Sequence, residues 1–182
     1  MTISPAAFFP GHTAVPIDVP LPEPITPASW RDYFDRHRDL YMAPQVYDWT
    51  CSVCATTWVL QATGLNVNAA REQIAYELGY PTCVNPVYGL LDVNCIERVF
   101  RYYRAPCEII WPHSFDEMYD IASRTTGTLN STRWYHFVGI RGVDGPNLWI
   151  ANSAQGYKGI YETISRGQWD AWAGSWNTVA LK

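Results

Sequence analysis

The spacing of apolar positions changes character twice along the chain. Up to Pro27 the apolar residues are isolated (Phe8, Phe9, Val15, Ile17, Val19, Leu21) among seven prolines, closing in the run Pro20-Leu-Pro-Glu-Pro-Ile-Thr-Pro27. Proline fixes φ and turns the preceding residue away from the α region, so this stretch is expected to be extended. It reads as an arm over residues 1–28, either loose, strapped onto the domain or docked on a partner protein. The apolar residues between the prolines favour the strap. Helical spacing follows. Ser29 is placed to cap a helix from Trp30 to Tyr41, which Pro44 stops. Cys51 to Thr63 is apolar nearly all round, carries no charge and closes on Gly64, the pattern of a buried helix ended by glycine. Further helices are expected from Asn68 to Leu78, from Leu90 to Tyr103, and to Arg124 from a capping-box pattern at Ser114-Phe-Asp-Glu117.

The period then shortens to two. Trp134–Arg141 and Leu148–Asn152 read as strands around the turn-rich Gly142-Val-Asp-Gly-Pro146, with further strands at Tyr157–Ile164 and Asn177–Leu181. Helices first and antiparallel strands second give an α+β domain over residues 29–182 with one hydrophobic core. Trp169, Trp172 and Trp176 crowd the C-terminal end and are expected to form one cluster.

Composition narrows the function. Of 182 residues, 48% are hydrophobic and 16% charged, which suits a folded domain rather than a disordered chain. A net charge of -4 and the lack of any Lys/Arg cluster argue against nucleic acid as a partner. No apolar run approaches the roughly 20 residues of a membrane span, and the N-terminus lacks the features of a secretory signal, so synthesis in the cytoplasm is expected. The five cysteines are an odd number, so at least one thiol is free, and their spacing does not resemble a disulfide framework.

Cys51 stands at the start of the apolar helix. There the positive end of the helix dipole and unpaired backbone N–H groups favour the thiolate, the nucleophilic form. His136 shares a strand face with Trp134, Val138 and Ile140, and Asn152 shares one with Leu148 and Ile150. A hairpin centred on Asp144 sets His136 directly opposite Asn152, close enough for the amide to orient the imidazole. A half-residue shift would bring Ser153 opposite instead. Gln45, six residues before Cys51, carries a side-chain amide N–H suited to an oxyanion.

The run Gln45-Val-Tyr-Asp-Trp-Thr-Cys51-Ser-Val-Cys-Ala-Thr-Thr-Trp-Val-Leu60 with Gly64, His136-Phe-Val-Gly-Ile-Arg-Gly-Val-Asp-Gly, and Leu148-Trp-Ile-Ala-Asn152-Ser together resemble the bacteriocin-processing (double-glycine leader) peptidases. Gln168-Trp169 falls where such domains often carry an aromatic residue after the orienting strand. The resemblance covers residues 41 to 181. It implies a papain-like fold, with a helical N-terminal half bearing the cysteine packed on a C-terminal antiparallel sheet bearing the histidine. It further implies a cysteine peptidase with Cys51 as nucleophile, His136 as base, Asn152 as orienter and Gln45 at the oxyanion, and no cofactor. Ser52-Val53 stands where the family usually has Gly-Pro, and Asn152 where it usually has Asp. The Pro-rich arm has no counterpart in the family's motifs, and no transporter segments follow. Similar stand-alone domains in actinobacterial phage lysins imply peptidoglycan peptide as substrate, with action at the cell wall or in a phage particle.

Three other readings compete. Cys51-Ser-Val-Cys54 is a CxxC, but no apolar strand runs into it as a thioredoxin-like motif requires, which leaves Cys54 as a core residue. Cys83, Cys95, Cys107 and His113 lack the paired short spacing of a zinc site. His12 and His37 read as plainly solvated. A non-catalytic papain-like module, for example a phage particle component docking through its Pro-rich arm, is the alternative from another class. Transferase and deamidase outcomes of the same acyl-enzyme stay open.

Overall fold

The computed structural model describes residues 27–133, 135–154, 162–172 and 175–182. The arm expected over residues 1–28 and the first part of the strand expected from Tyr157 lie, apart from the last residues of each, outside these. The described residues form six helices and eight strands. Helices α1 (Pro27–His37), α2 (Cys51–Ala62), α3 (Arg71–Glu77) and α4 (Asn94–Tyr102) form the N-terminal half, with a small β1 (Val84–Asn85)–β2 (Gly89–Leu90) hairpin between the last two. Strands β3 (Cys107–Ile110), β4 (Gly127–Ser131), β5 (His136–Asp144), β6 (Asn147–Ala151), β7 (Thr163–Ile164) and β8 (Trp176–Leu181) build one sheet in the order β3-β8-β4-β5-β6-β7. Every pairing in it is antiparallel. The architecture is α+β, helices followed by a C-terminal antiparallel sheet.

The sheet is covered on both faces, so the single core expected from the sequence is two. Trp30, Phe34, the apolar residues of α2, and Ile74, Ile96 and Phe100 meet Phe137, Ala151, Val179 and Leu181 on one face. On the other, α5 (Phe115–Arg124) and α6 (Arg166–Ala171) bring Phe115, Met118, Ile121 and Trp169 against Leu129, Val138, Ile140, Leu148, Ile150 and Trp176. Alternate residues of β5 therefore serve alternate cores, and no polar face remains to mark it as a half-buried strand. The tryptophan cluster forms as expected: Trp169 and Trp176 stack at 4.1 Å, with Trp172 6.0 Å from Trp176.

Helix α2 is buried nearly all round, as its lack of charge implies. It lies against β5 so closely that a Cβ on Gly139 would come within 2.3 Å of the Trp58 ring. Glycine admits that approach; any side chain would have to displace a fully buried indole. The Trp58 Nε1–H donates to the Leu40 carbonyl at 2.8 Å, and the Arg141 guanidinium donates to the same oxygen while lying over the Trp58 and Trp149 rings.

Several boundaries differ from the sequence reading. Helix α1 begins at Pro27 and ends at His37, whose Nδ1 lies 2.7 Å from the Tyr33 carbonyl with the two rings stacked, so this histidine is not simply solvated. Helix α4 starts only at Asn94, because the preceding residues make the β1–β2 hairpin. Ser114 caps α5 through Glu117 N–H, but the Glu117 carboxylate accepts from His113 N–H rather than from Ser114. Two of the six sheet strands, β3 and β4, were not expected, nor was α6. A disulfide joins Cys83 to Cys95, against the expectation of no framework, and leaves Cys51, Cys54 and Cys107 as free thiols. Its partners are brought together by the β1–β2 hairpin, which the sequence pattern did not reveal.

Candidate functional site

The β5–β6 turn sets the geometry. Strand β5 runs on to Asp144, and the turn is the two residues Gly145 and Pro146 rather than the longer stretch from Gly142. Gly145 has φ +52, which suits the first central position of a type II′ hairpin turn. A bulge at Arg141 then shifts the register between Ile140 and Gly142, so that Gly139 pairs with Ala151. One further step sets Asn152 beside Val138, and His136 becomes a diagonal neighbour on the same face instead of a direct partner. The diagonal suffices: His136 Nε2 lies 2.9 Å from Asn152 Oδ1, with both residues buried. The same oxygen accepts from Ala154 N–H at 2.9 Å, which holds the amide in place.

Cys51 is the first residue of α2. Thr50 makes no side-chain cap, and its hydroxyl donates to the Tyr47 carbonyl at 2.7 Å. The Cys51 sulfur lies 3.7 Å from the carbonyl oxygen of Tyr135, the residue before His136. Tyr135 has φ +48, a left-handed conformation uncommon for a tyrosine, and it starts the strand at His136.

Gln45 completes the neighbourhood. Its backbone N–H donates to the Ser153 carbonyl at 3.0 Å, and its Oε1 accepts from Ser153 Oγ at 2.8 Å. That pairing fixes the amide and sends Nε2 toward the Tyr47 carbonyl at 3.1 Å. The Arg71 guanidinium, donating to the carbonyls of Ala43 and Pro44, holds the segment from the other side. The contacts thus run from Cys51 to the residue beside His136, to Asn152, to its neighbour Ser153 and on to Gln45. Ser153 entered the sequence reading only as the residue a shifted hairpin would set opposite His136, not as a partner of Gln45, and Arg71 was missed because nothing local marks it.

The other free thiols are ordinary core groups. Burial pushes the Cys54 thiol up to about 11, with a smaller rise from nearby Cys51; the charge of Arg71 and hydrogen bonds from Ser153 and Thr50 oppose it. Burial likewise pushes Cys107 up to about 11, aided by Glu97. Cys54 is therefore a protonated thiol near neutral pH, the core residue expected and a poor member of a redox pair. Among the described residues no group of three or more His, Cys, Asp or Glu is placed to hold a metal ion, and no helix is long and apolar enough to cross a membrane.

No protein-family model matches the sequence, and no curated protein matches it. Solved structures do resemble it. A double glycine motif protease from an AMS/PCAT transporter, in complex with its leader peptide, superposes with a TM-score of 0.56 at 16% identity, covering 78% of this chain and 91% of that one. A C39-like peptidase from Bacillus anthracis gives 0.54 at 13% identity over 78% and 94%. The peptidase domain of Streptococcus ComA, a bifunctional ABC transporter, gives 0.53 at 13% identity over 78% and 98%. The chain has the papain-like fold of these C39 peptidase domains.

Proposed function

We propose that the protein is a cysteine peptidase acting through Cys51, His136, Asn152 and Gln45, and that it cleaves a peptide or isopeptide bond of bacterial peptidoglycan. The observation that carries the reading is the 2.9 Å contact between His136 Nε2 and Asn152 Oδ1. An amide oxygen accepts, so Nε2 carries its proton there and exchange with a thiol falls to Nδ1. The Cys51 thiolate attacks the carbonyl carbon, and the oxyanion is held by the Cys51 N–H and the second N–H of Gln45 Nε2. The His136 imidazolium gives its proton to the departing amine as the C–N bond breaks. A water then loses a proton to His136, attacks the thioester and releases the acid, which restores the Cys51 thiolate beside the His136 imidazolium. Fold likeness to peptidase domains supports the reaction class, and the cell-wall substrate rests on the resemblance to lysin domains.

Digestion of purified peptidoglycan by the wild-type chain and by Cys51→Ala tests both parts. New amines are expected from the wild type alone. Release by neither contradicts the substrate, and equal release by both contradicts Cys51 as nucleophile.

A further inference from the structure

A groove of about 540 Å³ opens beside the tryptophan cluster, lined by Trp111, Pro112, His113, Trp169, Asp170, Ser175 and Trp176. The sheet register ties it to the proposed site. Trp176 pairs with Ser131 across β8 and β4, and Ser131 pairs with His136 across β4 and β5. Directly paired residues share a face, so Trp176, Ser131 and His136 form one row, and two strand spacings of about 4.8 Å separate its ends. Leu129, two residues from Ser131, and Val138, two from His136, both belong to the core on the α5–α6 side, which fixes that face.

Two features suggest what the groove holds. Trp111 lines the groove and is 49% exposed, so its ring is open to a ligand that enters there. Asp170 makes no ion pair at contact distance among the described residues; Arg166, on the same short helix, pairs with Asp116 and lies 4.8 Å from the Phe115 ring, and feels the Asp170 charge only at longer range. Indole faces with a neighbouring carboxylate attract a cation. Between groove and imidazole, the Ser131 hydroxyl is buried and has no hydrogen-bond partner among the described residues.

We propose that this groove is a specificity subsite for the leaving-group side of the scissile bond, taking a residue whose side chain ends in an ammonium group. The inference rests on the peptidase reading, because the imidazole that protonates the departing amine stands at one end of the row and the groove at the other. Trp111 and Asp170 receive the cation.

The test uses the full-length Cys51→Ala chain and two probes, lysyl-alanine amide and norleucyl-alanine amide, titrated calorimetrically at low salt and pH 8. The lysyl probe is expected to bind at least about tenfold more tightly. Asp170→Asn should bring the two probes to parity, and Trp111→Ala should weaken the lysyl probe about tenfold, with thermal melts confirming that each variant is folded. Equal binding of both probes, binding of neither, or variants indistinguishable from the parent would overturn the subsite. Cys51 takes no part in this measurement, so its failure leaves the peptidase reading standing. Tight, selective lysyl binding by a wild-type chain that cleaves nothing would sink the peptidase reading and keep the groove.

Discussion

At the scale of single residues, environment separates groups of the same chemical type. Cys54 and Cys107 are thiols that burial keeps protonated, while Cys51, on the same helix as Cys54, occupies its first position. Glu77 shows the same effect in a carboxylate. Its Oε1 accepts from Tyr103 and Gln73 at 2.9 Å each, its Oε2 is buried without a partner, and burial raises its pKa despite those hydrogen bonds. A raised carboxyl pKa means that the folded state holds its proton more tightly than the unfolded one. Stability from this group is therefore full below the unfolded value and is lost as pH rises through the folded one. Glu77→Gln, which removes the charge and keeps the acceptor oxygen, should raise Tm at pH 7, with the gain vanishing below about pH 4. A melting series across that range checks the sign. Asn152→Ala removes both the imidazole contact and the Ala154 tie, and should slow alkylation of Cys51 by at least about tenfold. That His136 and Asn152 share a face was legible in the sequence from alternation together with an assumed hairpin centre at Asp144. Their register was not, because a bulge at Arg141 and a two-residue turn leave no mark in a period-two pattern.

Elements place these residues, and the contact between α2 and β5 is the closest of them. Gly139→Ala drives a methyl group into the Trp58 ring and should cost about 2–3 kcal/mol, a fall in Tm of roughly 4–12 °C by thermal melt. A change of under 1 °C would mean that α2 and β5 stand further apart than described. Helix α2 could be read from its uncharged apolar run and Gly64. Strand β4, Gly-Thr-Leu-Asn-Ser, could not, since all five of its residues are buried and the polar ones lie inside. Strand β3 is only four residues long and begins directly after Pro106. Helix α6 was legible: Ser165 and Gln168 form a full capping box, a signal recognised at Ser114 and overlooked here.

For the molecule as a whole, the sheet between two helical layers explains why the N-terminal helices and the tryptophan cluster are both buried although no helix contacts both cores. The Cys83–Cys95 disulfide, 12 residues apart in sequence, closes the β1–β2 hairpin onto α4. Replacing both cysteines by serine should lower stability by about 2–3 kcal/mol in a denaturant titration, the amount expected for a loop of this length. The papain-like frame was readable from three short blocks because each is a compact residue pattern tied to one element, α2, β5 or β6. The central claim is that one of the three free thiols is activated by its surroundings. The most direct measurement is site-resolved alkylation of the full-length chain by iodoacetamide at pH 7, followed by mass spectrometry in the wild type and in His136→Ala. The account predicts that Cys51 is modified at least about tenfold faster than Cys54 and Cys107, and that losing the imidazole removes most of that advantage. Equal, slow labelling of all three thiols, unchanged in His136→Ala, would contradict it.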